Sequence, residues 1–112
     1  MLLAGCARGD KHSALAVQSA DPARRGRMLI AESRCGSCHT IPGIQGATGQ
    51  FGPPLMAMSR RVYIAGEFPN SAETLADWIK SPTSLKPGTT MPDLGLTRQQ
   101  AADIAAYLET LR

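Results

Sequence analysis

The sequence predicts an all-α domain in which three helices are separated by irregular loops rich in glycine and proline. Two observations lead to this prediction. Apolar residues recur at helical spacing in three segments, each of which begins with a capping residue, and no segment shows the apolar–polar alternation of a half-buried strand. At 112 residues the chain is the length of one domain. We assign residues 21–112 to that domain and residues 1–20 to a polar tail.

The first helix is expected from residue 21 to about residue 34. Asp21 can accept from the free N–H groups at the start of the helix, and Pro22 suits the first helical position. One face carries residues at i, i+3, i+4 and i+7 spacing, namely Gly26, Leu29, Ile30 and Ser33. A glycine inside a helix costs about 1 kcal/mol relative to alanine. Close packing of another helix at Gly26 would explain it.

Two further helices follow, and each is expected to begin with a capping box. Asn70 with Glu73 starts the second helix, which Pro82 closes, and Thr97 with Gln100 starts the third, which runs to about residue 111. The apolar faces consist of Leu75, Trp78 and Ile79 in the second helix and of Ile104, Tyr107, Leu108 and Leu111 in the third. These faces are expected to form the core together with the first helix.

The chemistry-bearing motif is Cys35-Gly-Ser-Cys38-His39, which is the attachment signature for c-type haem. The two thiols add to the two vinyl groups on one edge of the porphyrin, and the adjacent imidazole becomes an axial ligand of the iron. A zinc half-site and a redox dithiol are the alternatives. Zinc normally takes four Cys or His ligands, and the remaining Cys6 and His12 both lie in the tail. A thioredoxin-like dithiol needs a βαβ context, which this sequence does not predict.

The composition agrees with a bound cofactor and with protein partners. Aromatic residues make up 4% of the chain, which is too few for a rich aromatic core, and a large apolar cofactor would fill that space. Twelve basic and nine acidic residues give a formal charge of +3, a balance that permits electrostatic docking. We expect no nucleic-acid binding, because no basic stripe with interleaved aromatic residues is present. No apolar run approaches the length of a membrane-spanning helix.

The N-terminal run Leu3-Ala-Gly-Cys6 resembles a bacterial lipobox, in which the cysteine is acylated. A signal peptide needs a basic region and an apolar stretch, and only five residues precede Cys6. The alternative is an unpaired cysteine in the tail. In the lipoprotein interpretation, Cys6 anchors the protein and residues 7–20 form a flexible tether in which His12 is solvated.

Three methionines are candidates for the sixth ligand of a haem iron. Met91 lies in a stiff loop, Lys-Pro-Gly-Thr-Thr-Met-Pro, where helical periodicity gives it no packing role. Met56 and Met58 are the alternatives, although both also suit an apolar filler role. Arg60 and Arg61 follow them, and either could neutralise a haem propionate or carry a solvated charge.

Residues 21–112 as a whole resemble a class I cytochrome c. The order of features matches: a first helix, Cys-x-x-Cys-His, a Gly-Pro-Leu-type loop, a central helix, a Pro-Gly-x-x-Met loop and a C-terminal helix with an aromatic residue. The resemblance implies three main helices and ordered loops wrapped round one covalently bound haem c. It also implies that His39 and Met91 are the two axial ligands of the iron.

The resemblance assigns roles to further residues. The carbonyl of Pro53, in a Gly-Pro-Pro-Leu run, is expected to accept from the axial histidine, and Arg61 is expected to bind a propionate. Trp78 takes the aromatic position beside the axial methionine, where mitochondrial-type members have tyrosine. Gly26 and Tyr107 match the crossing of the first and last helices.

Residues 61–92 most resemble small bacterial cytochromes c, and they also resemble the cytochrome c domain fused to subunit II of caa3-type oxidases. The resemblance implies a monomeric monohaem electron carrier of a respiratory chain, with no catalytic residues, on the periplasmic side of a bacterial membrane. Its implied redox partners are proteins such as a terminal oxidase or a bc1-type complex. The alternatives are a haem subunit of a larger oxidase or dehydrogenase, or an open-site haem protein that binds small ligands if Met91 does not ligate.

Overall fold

The computed structural model describes residues 20–112, so Cys6 and His12, with the predictions made for them, lie outside the described residues. The helices are α1 (Pro22–Glu32), α2 (Ala72–Lys80), α3 (Pro82–Leu85) and α4 (Arg98–Leu108); the 3-10 turns are Cys35–Ser37 and Met58–Arg60; the strands are β1 (Tyr63–Ile64) and β2 (Phe68–Pro69). The predicted all-α fold is confirmed, with one addition. The two strands pair as a small antiparallel hairpin that was not predicted.

Helix starts agree with the predicted caps at two of three places. The Asp21 carboxylate accepts from the backbone N–H two residues on, at 3.1 Å, and starts α1. Thr97 and Gln100 form a reciprocal capping box at α4, with distances of 2.9 and 3.1 Å. Both helices end earlier than predicted, at Glu32 and Leu108. In the described part of the chain, no helix is long and apolar enough to cross a membrane.

The predicted capping box of Asn70 and Glu73 is wrong. Ser71 caps α2, and its hydroxyl accepts from the backbone N–H three residues on at 3.0 Å. The amide of Asn70 is used elsewhere, because it donates to the carbonyls of Met58 and Arg61, each at 2.9 Å. A contact between distant segments therefore decides which of two good capping residues starts this helix.

Helices α1 and α4 cross at Gly26. A Cβ atom at this position would lie 1.8 Å from the carbonyl oxygen of Asp103, so a side chain here would force the helices apart. Beside the crossing, the Arg25 guanidinium donates to both carboxylate oxygens of Asp103, at 2.8 and 2.9 Å, and Gln99 adds a further bond. The hydrogen bond to this buried carboxylate raises the pKa of Arg25. The first and last helices are thus joined by close backbone packing and an ion pair.

Tyr107, one turn further along α4, connects the helix pair to a loop. Its hydroxyl donates to the carbonyl of Pro42 at 2.7 Å, and a Cβ atom on Gly43 would lie 2.1 Å from that hydroxyl. Arg27 of α1 donates to the carbonyl of Gly43 at 3.0 Å. Both helices therefore hold the turn that follows the Cys-x-x-Cys-His motif.

The core lies where α1, α2 and α4 meet. The apolar faces predicted for the three helices are buried at Leu29, Ile30, Leu75, Ile79, Ile104 and Leu108. Trp78, Tyr107 and Leu111 are partly buried and pack against this core. The same three helices form the floor of the cavity described next.

Candidate functional site

A cavity of about 700 Å³ lies beside the helical core and is lined mainly by apolar side chains. Two loop regions form much of its lining. We call residues 35–55 the histidine wall and residues 83–96 the methionine wall, after the candidate ligand that each contributes. Residues from α1, α2 and α4, and from the segment 58–66 that contains the hairpin strand β1, contribute the rest of the lining.

The histidine wall begins at the turn that carries the two thiols. Arg34 leaves α1 with a φ of +60° and directs the chain into this turn. The backbone N–H of His39 donates to the carbonyl of Cys35 at 3.0 Å, so the turn brings its two cysteines and His39 to the same cavity. Cys35 and Cys38 are partly buried free thiols. Burial raises the pKa of the Cys35 thiol to about 11, which keeps it neutral at neutral pH.

The imidazole of His39 has one nitrogen engaged by the protein. Nδ1 lies 2.7 Å from the carbonyl oxygen of Pro53. A carbonyl only accepts, so Nδ1 carries the proton and Nε2 keeps its lone pair for a metal ion. Gly52 lies directly against the ring, because a Cβ atom there would be 2.5 Å from Cε1 of His39. This contact was not predicted, and the Gly-Pro-Pro run after the motif is the signal that could have indicated it.

Backbone hydrogen bonds cross the histidine wall and fix its loop. Three of them are short and join its first third to its last: Gly49 N–H to the Gly36 carbonyl at 3.0 Å, Gly52 N–H to the Cys38 carbonyl at 2.7 Å and Leu55 N–H to the Thr40 carbonyl at 2.8 Å. Because every donor and acceptor of these three bonds belongs to the main chain, this part of the frame does not depend on the rotamer of a flexible side chain. The imidazole is held by a stiff frame.

The methionine wall places Met91 on the cavity. Met91 is half-buried and lines the cavity, and its backbone N–H lies 3.3 Å from the hydroxyl oxygen of Thr89. Thr89 in turn donates its N–H to the carbonyl of Lys86 at 3.0 Å, which closes the Pro-Gly turn. The ammonium of Lys86 donates to the carbonyl of Ala65 at 2.8 Å and ties the turn to the hairpin loop. Lys86 was not among the predicted site residues.

The other candidate methionines differ in position. Met58 is only 3% exposed and also lines the cavity, whereas Met56 is 52% exposed and lies outside the lining. Met58 belongs to a 3-10 turn, and its own carbonyl accepts a hydrogen bond from the Asn70 amide. Its side chain is packed in the core. Met91 and Met58 therefore remain as candidate sulfur ligands in this structure.

Arg61 and Trp78 both line the cavity, while Arg60 is exposed and outside the lining. The guanidinium of Arg61 donates to the carbonyl of Pro54 and, at 3.0 Å, to that of Met56. These bonds hold a positive charge at the cavity and brace the segment that follows Pro53. The Trp78 ring packs against Phe68 with a centroid separation of 6.0 Å.

The donor set fits haem iron. Across residues 20–112, no group of three or more His, Cys, Asp or Glu side chains could hold a metal ion, so a zinc cluster finds no support there. The imidazole of His39 and thioether sulfurs line one apolar cavity with two thiols. His with Met is an axial pair used by c-type haem proteins, and thiols are the groups that attach its vinyl carbons.

Comparison with known proteins agrees with this chemistry. The family model described as cytochrome c matches residues 23–112. The chain belongs to the cytochrome c family. The order of its motifs and its helical fold make it a class I c-type cytochrome. The family binds haem c and carries out haem electron transfer, so these coarser functions apply to this cytochrome.

The sequence is similar to those of three curated proteins, two oxidase subunits and one cytochrome c. The cytochrome is 34% identical over 91 residues to cytochrome c oxidase subunit 2 of Alkalihalophilus pseudofirmus, covering 80% of this chain and 26% of the relative. It is 34% identical over 73 residues to the subunit 2 of Bacillus subtilis, covering 63% and 20%. It is also 34% identical over 83 residues to cytochrome c-552 of Bradyrhizobium diazoefficiens, covering 74% and 69%. The match spans about a quarter or less of the oxidase subunits, and no solved structure matches significantly.

Proposed function

We propose that this cytochrome is a monohaem electron carrier of a bacterial respiratory chain, that His39 and Met91 bind its iron, and that it is not an enzyme. The observation that carries the proposal is the arrangement of the cavity. His39 is oriented by Pro53 with Nε2 available, and Met91 lines the same cavity as the two thiols. If His39 and Met91 both bound the iron, they would leave it no coordination position for a substrate.

Bound haem supplies one-electron chemistry between ferric and ferrous iron. The residues of the chain set the conditions for it. Cys35 and Cys38 supply the thiols for two thioether bonds, and the carbonyl of Pro53 fixes the tautomer of His39. The sulfur of Met91 is a weak donor that favours the reduced state. The apolar side chains of the remaining lining would limit the contact of the bound haem with water.

The charge of Arg61 has a task in the same cavity. Haem carries two carboxylates, and burying them without a cation is unfavourable. Arg61 lines the cavity and is held there by the Pro54 and Met56 carbonyls, which supports its assignment as a propionate partner. Trp78 lines the cavity from α2, which supports a packing contact with the haem.

We place the protein on the periplasmic side of a bacterial membrane as a monomer, with Cys6 as the acylated anchor. The lipobox-like run at Cys6 supports this placement. A terminal oxidase or a bc1-type complex is the proposed partner, and the similarity to subunits named cytochrome c oxidase subunit 2 supports the former. A haem subunit of a larger oxidase or dehydrogenase is the second candidate. Co-purification of a stoichiometric partner from native membranes would favour that candidate over the free carrier.

Optical spectra of the exported holoprotein test the ligation, with three methionine-to-leucine variants of similar volume. We expect the wild type to be low-spin and six-coordinate, with an iron–thioether charge-transfer band in the ferric form. Met91→Leu should lose that band and become high-spin. Met58→Leu and the exposed Met56→Leu should keep it, because neither sulfur is assigned to the iron.

A band that persists in Met91→Leu and disappears in Met58→Leu would move the ligand to the second candidate sulfur. A wild type that is already high-spin and binds carbon monoxide would contradict the carrier proposal and favour an open-site haem protein. In both cases the assignment of Met91 would be wrong.

A further inference from the structure

The methionine wall is closed at its base by a contact between Thr83 and Asp93. Oδ2 of Asp93 accepts from the Thr83 hydroxyl at 2.7 Å, and Oδ1 accepts from the Thr83 backbone N–H at 3.3 Å. Thr83 is the second residue of the short helix α3, where backbone N–H groups have no partner within the helix. The carboxylate thus caps α3 from ten residues further along the chain.

This contact is the tie that lies nearest to Met91 on its C-terminal side. Among the described residues, no backbone-to-backbone hydrogen bond holds residues 90–96. Pro92 separates Met91 from Asp93, and its ring restricts the backbone between them. A displacement of Asp93 is therefore passed to Met91 through a stiff link.

Apart from the Thr89 hydroxyl, which accepts from the Met91 N–H inside the loop, the other side-chain contacts of the wall lie further along the chain from Met91. Lys86 holds the Pro-Gly turn to the carbonyl of Ala65 at 2.8 Å, five residues before Met91. Lys80 donates to the carbonyl of Leu96 at 3.1 Å, five residues after it. Neither contact involves a residue between 87 and 95, so neither holds Met91 directly. The Thr83–Asp93 contact joins that segment, two residues after Met91, to helix α3.

We propose that Asp93 is a positioning residue which, by binding Thr83, keeps Met91 in the cavity wall. The proposal rests on the proposed function, because it assumes that Met91 is the sixth ligand. Asp93 does not line the cavity, so its effect on the iron passes through the backbone. Loss of its carboxylate should raise the fraction of molecules in which the methionine wall has opened.

The test is a titration of the ferric holoprotein with imidazole, which competes with the thioether for the iron and binds more tightly when the wall opens more easily. We expect Asp93→Ala to tighten imidazole binding about tenfold, since two hydrogen bonds of ordinary net strength are lost. Thr83→Val removes only the hydroxyl donor and keeps the backbone N–H, so about a threefold change is expected. Asp77→Ala is the matched control, because it removes the same charge from a side chain that is 60% exposed and distant in sequence.

Asp93→Ala combined with Thr83→Val should bind imidazole as Asp93→Ala does alone, because both residues act through one contact. Additive changes would overturn the route through Thr83. An unchanged imidazole affinity in Asp93→Ala, equal to that of Asp77→Ala, would overturn the positioning role, even if its melting temperature fell.

The proposed ligation is tested separately in the same series. If Met91→Leu has the spectrum and the imidazole affinity of the wild type, the ligation is wrong and the role of Asp93 is wrong with it. If Met91→Leu loses the charge-transfer band while Asp93→Ala is indistinguishable from Asp77→Ala, only the positioning role is overturned.

Discussion

The two walls of the cavity are held by different kinds of contact. The histidine wall is crossed by main-chain hydrogen bonds in addition to the side-chain contacts from Arg27 and Tyr107. Its imidazole is held between the Pro53 carbonyl and Gly52. The methionine wall is held by side chains, chiefly Lys86 and the pair of Thr83 and Asp93. Main-chain contacts survive most substitutions, whereas each side-chain contact is lost with one. The methionine wall should therefore be the easier of the two to open.

The difference matches what each wall must do. The histidine wall has to present two thiols and an imidazole in one geometry, and such preorganisation requires a rigid support. The methionine wall contributes one weak sulfur donor, and local opening of this wall requires less free energy than global unfolding. Loss of the contacts that support the histidine wall should lower the free energy of unfolding, and loss of the side-chain contacts at Asp93 should mainly alter the iron environment.

The largest effect is expected at the helix crossing that supports the histidine wall. Gly26→Val places a branched side chain where even a Cβ atom would be 1.8 Å from the Asp103 carbonyl oxygen. Since that oxygen belongs to a helix backbone, it can move only if the helix is displaced. We expect a loss of about 3 kcal/mol or more in the free energy of unfolding. Denaturant unfolding of the exported holoprotein measures it.

Ala31→Val is the matched control for this prediction. It adds the same branched side chain to the same helix at an exposed position, and helix propensity alone predicts a loss of about 0.5 kcal/mol. If the two variants unfold at the same denaturant concentration, the crossing does not depend on Gly26. If Gly26→Val cannot be isolated, Gly26→Ala should still unfold well before Ala31→Val.

The main helices could be predicted from sequence because their signals are local. Asp21 with Pro22, and Thr97 with Gln100, lie within a few residues of the helix starts that they cap. The start of α2 could not be predicted in the same way. Asn70 and Ser71 are both good capping residues, and the choice depends on carbonyls contributed by Met58 and Arg61. The two-residue strands β1 and β2 are too short to show a periodic pattern.

The candidate site, too, could be predicted from sequence only where its signals are local. The Cys-x-x-Cys-His motif is contiguous, so its chemistry can be read without a structure. The contact between Thr83 and Asp93 joins residues ten positions apart across a loop with no period, and no local rule indicates it. The Arg61 carbonyl contacts also depend on how the chain folds back. The assigned roles of His39 and Met91 stay predictions until the spectra are measured.

A second prediction compares one glycine from each wall. Gly52→Ala would place a Cβ atom 2.5 Å from Cε1 and 2.9 Å from Nδ1 of His39, so the ring must move away from its carbonyl partner. We expect a loss of about 1–3 kcal/mol in unfolding free energy together with a changed ferric spectrum.

Gly88→Asn in the methionine wall is the counterpart. The φ of Gly88 is +90°, which is unfavourable for a residue with a side chain, but no heavy atom lies within 4 Å of an added Cβ. We therefore expect a loss of about 1 kcal/mol in the free energy of unfolding and an unchanged ferric spectrum. Equal spectra for the two variants would contradict the view that the imidazole is tightly confined by its own wall.

The smallest effect is expected from Glu109, the residue that follows α4 and interacts with Asn70. Burial raises the pKa of Glu109, and a hydrogen bond with Asn70 partly offsets that rise. A carboxyl group with a raised pKa binds its proton more tightly in the folded state. Its contribution to stability is therefore greatest at low pH and declines as the pH rises through the raised pKa.

Glu109→Gln removes that decline while keeping a side chain that can bond to Asn70. It should be the more stable protein at pH 7, by less than about 0.5 kcal/mol, and the difference should vanish below the ordinary carboxyl pKa. Urea unfolding at pH 7 and at pH 4 measures this, with the exposed Glu67→Gln as the control for loss of charge. A stability difference between the two proteins that is the same at both pH values would contradict a raised pKa for Glu109.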